Sequence, residues 1–214
     1  MTDAHMIIVG IDFGTTFSGV AWTTQGCPED LEVITVWPGS QNKTSEKVPT
    51  VMKYETTKEE PSFRWGFQVS PLVDGIRGLK LLLDEDQKDR YGPSLLSKNI
   101  LMAIRKDAVD VASDYLRELF RVVQKVQVRR LGEAYVKSAK FRIVLTVPAV
   151  WSDKAKDATL KAAEKAGLND HELSMISEPE AAAIYTLRAI QPNTITIGDT
   201  FVVCDAGGGT VVSN

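Results

Sequence analysis

The sequence predicts an α/β protein built on one mixed sheet, with parallel and antiparallel strands together and helices flanking them. Three observations predict it. Short strand-like runs crowd the first third of the chain. Strand-like and helix-like segments alternate from "FRIVLTVPAVW" onward. Two apolar runs, "IIVGIDFGTT" and "FVVCDAGGGT", end on one plan: an aspartate, one spacer, then glycine and threonine.

The elements follow in order. "MIIVGIDFG" is a strand by its branched apolar content. "TFSGVAWTT" is a second strand, joined to the first by the tight Gly14-Thr15 turn. "LEVITVWPG" carries apolar residues at Leu31, Val33 and Val36 and stops at Pro38-Gly39, so it reads as the third strand of an antiparallel meander. "KVPTVMKYE" and "SFRWGFQVS" read as two more strands, with a polar loop over 40–47 before them. From Ile100 to Val126, apolar residues recur at Ile104, Val111, Tyr115, Leu119 and Val122, which is a helical period and predicts one core-facing helix. "FRIVLTVPAVW" is a buried strand ended by Pro148. "SDKAKDATLKAAEKAG" is a helix with Ser152 as N-cap and Gly167 just past its end. "LSMI" is a short strand, and "SEPEAAAIYTLRAI" a helix with Pro179 in its first turn. "TFVVCDAGGGTVV" is a strand and glycine turn, its apolar Phe201 to Cys204 suited to the inside of a sheet.

Composition excludes several classes. At 43% apolar and 25% charged, the 214 residues read as an ordinary globular protein. A net charge of −3 gives no electrostatic reason to expect a nucleic-acid partner. No apolar run is long enough to span a membrane, and the N-terminus lacks a secretory pattern. Cys27 and Cys204 form neither a metal spacing nor a disulfide framework, which favours a reducing, cytoplasmic setting.

The two acidic glycine turns carry the chemistry. Glycine lets backbone N–H groups approach a ligand, and successive N–H groups in a turn make a concavity for anions. Threonine hydroxyls add donors. A carboxylate beside a phosphate repels it unless a cation stands between them, and Mg²⁺, which takes oxygen ligands and keeps several waters, suits that place. A cradle for phosphate with a metal-facing carboxylate therefore explains Asp12, Gly14, Thr15 and Thr16, and again Asp205, Gly207, Gly208, Gly209 and Thr210. A single such turn could equally be a structural hairpin; two copies at two strand ends count against that. No Walker loop occurs, and a Rossmann fingerprint counted from Gly207 would put its third glycine at Val212. Phe13 and Ala206 are wrong for an aspartic protease, which needs Asp-Thr-Gly or Asp-Ser-Gly.

Four segments together resemble the seventy-kilodalton heat-shock chaperone family, within the actin-like ATPase superfamily. "VGIDFGTTFSGVAW" resembles the first phosphate motif, and "TVPAVWSDKAKDATLKAAEKAGL" the strand, proline turn and helix that follow later. "ISEPEAAAIYTL" resembles the first connecting motif and "VVCDAGGGTV" the second phosphate motif. Their order and spacing match from Ile7 to about Val211, while "FRWGF" and the helix-rich middle look like a divergent branch. The resemblance implies the actin-like (ribonuclease H-like) fold, with residues 1–195 as lobe I and 196–214 as the first strand and phosphate turn of lobe II. It implies ATP or ADP with Mg²⁺ as ligands, Mg²⁺-dependent ATP hydrolysis as the parent activity, and co-chaperones or client proteins as partners of a longer form. It implies metal contacts through water at Asp12 and Asp205, and a catalytic lysine at Lys80, for which the alternative is a solvated surface lysine. Glu178 would orient metal-bound water; its alternative is a helix-start glutamate favoured by the dipole. Pro148 and Lys156 match a proline switch and its basic partner, with lysine where the family has arginine. Val212 stands where the family has an aspartate.

The resemblance covers the first half of the ATPase domain. The chain alone is therefore expected to bind ATP poorly and hydrolyse it negligibly, with the segment around residues 201–204 left unburied. A second reading is a non-enzymatic interaction module or truncated pseudo-ATPase that keeps the fold but binds partners instead of nucleotide. A third, a sugar kinase of the same superfamily, needs an acidic base and a sugar pocket that the sequence does not display.

Overall fold

A computed structural model describes residues 5–55, 62–84, 92–190, 195–196, 198–206 and 211–213. The first strand, β1 (Met6–Asp12), runs antiparallel to β2 (Phe17–Thr24), which runs antiparallel to β3 (Cys27–Val33). This is the expected meander, but β3 begins four residues earlier than the Leu31 alternation suggests and stops at Val33. The apolar residues beyond it, Ile34 and Trp37, are buried outside the strand, and the Trp37 indole N–H donates to the Ser45 carbonyl at 2.8 Å. Burial by a loop, rather than by a ladder, produced the apolar run.

"KVPTVMKYE" is not one strand. It divides at Thr50 into β4 (Lys47–Pro49), which pairs with β2, and β5 (Val51–Glu55), which pairs with β6 (Ser62–Trp65) and β7 (Ile76–Arg77) in a separate three-stranded sheet. Pro49 has no N–H to continue a ladder, and Thr50 turns inward, its hydroxyl 2.8 Å from that of Ser18.

A single helical turn, α1 (Leu79–Leu82), leads toward α2 (Gly92–Ile104). The helix expected over 100–126 is in fact two, since α2 ends at Ile104 and α3 (Ala108–Leu131) starts afresh. Arg105 adopts a left-handed conformation with φ of 55°. The Asp107 carboxylate then accepts from the Asp110 N–H at 2.7 Å and the Asp110 carboxylate from the Asp107 N–H at 3.4 Å, a reciprocal cap. The apolar period runs through the break because both helices bury a face in one core. After α4 (Glu133–Ser138) the interior strand β8 (Lys140–Val147) runs parallel to β1.

The next helix, α5 (Asp153–Lys165), has the predicted Ser152 N-cap, accepting from Ala155 N–H at 3.2 Å, and Gly167 follows it at φ of 87°. Then β9 (Glu172–Ser177) runs parallel to β8, and α6 (Glu178–Ala189) starts from the Ser177 cap with Pro179 in its first turn. Last comes an antiparallel pair, β10 (Cys204–Ala206) and β11 (Val211–Ser213). Only Cys204 of the 201–204 run lies in a strand, and this pair is separate from the main sheet. Phe201 and Val202 are exposed, as expected of that segment.

The main sheet is thus mixed, in the order β3-β2-β1-β8-β9 with β4 beside β2. Ile7, Val9 and Ile11 of β1 and Ile143 and Leu145 of β8 point to one face, where Val111, Tyr115, Leu116, Leu119 and Val123 of α3 pack. Each of these large apolar side chains stabilises the fold by about 1.5–3 kcal/mol on burial.

Candidate nucleotide site

Strand parity fixes the site. With β1 burying Ile7, Val9 and Ile11, its alternate residues Gly10 and Asp12 face the opposite side of the sheet. The same parity on β8 turns Thr146 to that side, and on β2 it turns Gly19 and Ala21 there. This second face is floored by small residues, and it forms a cleft of about 500 Å³. Asp12, Lys47, Thr146 and Glu178 line the cleft, and Ala181, Ala182 and Tyr185 of α6 wall it. Asp12 and Glu178, which the sequence assigns to one metal site, therefore open on the same cleft.

Both oxygens of Asp12 are engaged. Thr146 donates its hydroxyl to Oδ1 at 3.3 Å, and the Lys47 ammonium donates to Oδ2 at 2.9 Å. In the turn that follows, a Cβ on Gly14 would lie 2.1 Å from the Phe17 carbonyl oxygen, so only glycine allows the chain to fold back so tightly. Thr15 is half-buried in that turn. The Thr16 hydroxyl is buried with no protein partner, while the Thr16 carbonyl accepts from Thr50 N–H at 2.8 Å.

Lys80 is not a solvated surface lysine. It is 2% exposed and its ammonium pairs with the Glu178 carboxylate, 98 residues away in sequence. The Trp151 ring lies under the same ammonium, with its centroid 5.6 Å from Nζ. Glu178 is also the first residue of α6, so the helix-start reading and the site reading describe one placement. Pro148 is buried, and its carbonyl accepts from Trp151 N–H at 3.3 Å. Lys156 lies on α5 with its ammonium 3.7 Å from Asp153. The backbone of Asp205 is in β10, but its side chain and Gly207, Gly208, Gly209 and Thr210 lie outside the described residues.

These residues fit a magnesium nucleotide. A carboxylate on the cleft wall and, just after it, a turn only glycine can make are parts such a ligand requires. Among the described residues no group of three or more His, Cys, Asp or Glu side chains comes together. Sequence reasoning missed Lys47 and Thr146. The strand parity of "FRIVLTV" could have found Thr146, since it alternates with the core-facing Phe141, Ile143 and Leu145. Nothing local marks Lys47.

Comparison with known proteins bears on the family of the chain. A family model described as Hsp70 protein matches residues 83–213. "Chaperone protein HscA" of Xenorhabdus nematophila is 31% identical over 221 residues, covering 95% of this chain and 31% of its own length. Human "Heat shock 70 kDa protein 12B" is 30% identical over 192 residues, covering 84% of this chain and 28% of its own. Human "Heat shock 70 kDa protein 12A" is 28% identical over 195 residues. The chain thus spans under a third of the length of these curated relatives. Among solved structures, the ethanolamine utilization protein EutJ of Carboxydothermus hydrogenoformans gives a TM-score of 0.40 at 19% identity, covering 96% of this chain and 45% of EutJ. A non-polymerising MamK mutant bound to AMPPNP gives 0.46 at 14% identity, covering 99% and 73%.

Proposed function

The chain belongs to the Hsp70 family and carries its ATPase-like, nucleotide-binding type of domain, and from that premise we propose that the cleft at Asp12 receives the phosphates of ATP or ADP with Mg²⁺. The observation that carries the reading is the shared cleft: Asp12 and Glu178, on elements far apart in sequence, open on one space, and the tight Gly14 turn follows Asp12 directly. Bound there, a magnesium nucleotide supplies the phosphoanhydride and a divalent charge. The chain supplies the rest. Asp12 answers the cation, fixed by the Thr146 hydroxyl. Gly14, Thr15 and Thr16 present donors to phosphate oxygens. Glu178 orients water, and Lys80 is held rigid between Glu178 and Trp151, with its charge fixed in direction. Such positioning and charge stabilisation is the main protein contribution in phosphoryl transfer. Asp205 and the turn from Gly207 to Thr210 form the second cradle, Pro148 and Lys156 a coupling element, and a longer form hydrolyses ATP to work on client proteins.

Titration of the protein with Mg·ATP into the millimolar range, followed by calorimetry or amide shifts, tests this. Asp12→Asn is expected to weaken Mg²⁺-dependent binding by about tenfold or more while shifting the melting temperature little, because the carboxylate serves a cation and not the core. The non-enzymatic interaction module predicts no saturable nucleotide binding in either protein, and that result would replace this reading.

A further inference from the structure

Asp12 already has a cation. Three strands place Asp12 of β1, Gly19 of β2 and Lys47 of β4 in one cross-strand row, since Asp12 pairs with Gly19 and Gly19 with Lys47. Neighbouring strands lie about 4.8 Å apart, so Asp12 and Lys47 are separated by the full width of β2. The Lys47 side chain crosses that width over the bare backbone of Gly19. A Cβ built at Gly19 would stand 3.6 Å from Lys47 Cγ and 3.9 Å from Cε, so the aliphatic stem lies along the glycine. The ammonium ends 2.9 Å from Asp12 Oδ2, inside the cleft, and the Lys47 side chain is 57% exposed. It is not locked into the core, and it can swing between Asp12 and a ligand.

We infer that Lys47 is a phosphate-binding residue that supplies, from the protein itself, the positive charge that lets a phosphate approach Asp12. The inference rests on the nucleotide reading above and adds to it a built-in cation. A carboxylate repels phosphate unless a cation lies between them, and an ammonium paired with Asp12 neutralises that repulsion before any metal arrives. With Mg²⁺ at Asp12, Lys47 would be free to donate to the phosphate oxygens; without Mg²⁺, its ammonium would bridge Asp12 and the phosphate. Nucleotide binding by this protein is therefore less dependent on magnesium than it would be with an uncharged residue at position 47.

The test compares wild type, Lys47→Met and Lys47→Arg, each titrated with ATP in magnesium and again in EDTA. The exposed position makes all three foldable, which their melting temperatures check. Wild type is expected to bind ATP in EDTA. Lys47→Met is expected to lose at least about tenfold of that affinity, the size of one charge-assisted hydrogen bond, and to lose less in magnesium. Lys47→Arg, which keeps the charge, is expected to restore most of the EDTA binding. Equal EDTA affinities for wild type and Lys47→Met overturn the inference, as does wild-type binding in magnesium alone; both leave the nucleotide reading standing. No saturable binding of ATP to wild type in either condition removes the inference together with the reading beneath it.

Discussion

At the scale of single residues, the informative pair is Lys80 and Glu178. A lysine side chain 3% exposed is costly unless its charge is answered, and here it is answered by a carboxylate itself 20% exposed and by an indole ring. Glu178→Ala strands the buried ammonium against the Trp151 ring without its counter-charge. Chemical denaturation is expected to show a loss of about 3 kcal/mol for that variant. Lys80→Met combined with Glu178→Ala is expected to recover most of it, because the buried charge is gone and a methionine fills nearly the same volume. If the double variant is as unstable as the single, the pair is not what sets the cost. The same chemistry explains the sequence signal at Lys80, whose neighbours are apolar on both sides: the site is a core position that happens to carry a charge.

At the scale of elements, the join between α2 and α3 shows how two helices share one hydrophobic period. Arg105 holds a left-handed conformation that costs a non-glycine residue about 1 kcal/mol, and Asp107 restarts the helix by capping it. Opposite effects follow at positions two residues apart. Asp107→Ala is expected to destabilise by about 1 kcal/mol through loss of the cap. Arg105→Gly is expected to stabilise by a similar amount, since glycine adopts the left-handed conformation freely. Urea midpoints of the two variants check the sign of each. Were Asp107→Ala neutral, the two helices would be behaving as one. The terminal helix α6 makes a contrast. None of its residues is fully buried, so its caps at Ser177 and Pro179 and the Arg188–Glu29 ion pair do more of its holding than packing does.

At the scale of the whole molecule, one polar network ties the three-stranded sheet to the helices behind the main one. Tyr54 of β5 donates to Asp114 of α3 at 2.6 Å, and Lys106 and Arg117 donate to the same carboxylate at 2.8 and 2.7 Å. Arg117 goes on to the Lys165 carbonyl at the end of α5 at 2.9 Å, and Lys165 pairs with Asp110. Burial works to raise the pKa of Asp114, but the hydrogen bonds from Lys106, Tyr54 and Arg117 outweigh it and hold the carboxyl below its usual range. A carboxyl whose folded pKa lies below its unfolded value of about 3.9 binds more protons when unfolded, so its contribution is complete above that pH and is lost as pH falls through the folded value. Asp114→Asn is expected to lose about 1.5–3 kcal/mol at neutral pH and to flatten the fall in stability below about pH 4. Unfolding free energies measured from pH 7 down to pH 2 test both parts, and parallel acid limbs for the two proteins would assign the acid sensitivity to other carboxylates.

Local chemistry was legible in the sequence because its causes lie within a few residues. Ser152 caps α5 and Pro179 falls in the first turn of α6, as their local sequences place them, and Gly14 sits where the chain must double back. The alternation in β1 and β8 sets which face is core, and with it the outward turn of Asp12. The break at Arg105, the division of "KVPTVMKYE" between two sheets and the early start of β3 were not legible, because the apolar pattern records burial and not which partner supplies it. The contacts of the site belong wholly to the tertiary structure. Lys47 reaches Asp12 across 35 positions in sequence, and Lys80 meets Glu178 across 98. Those meetings depend on strand order and register, which are settled only when the whole sheet closes on its core, so no local pattern around Lys47 or Lys80 could announce them.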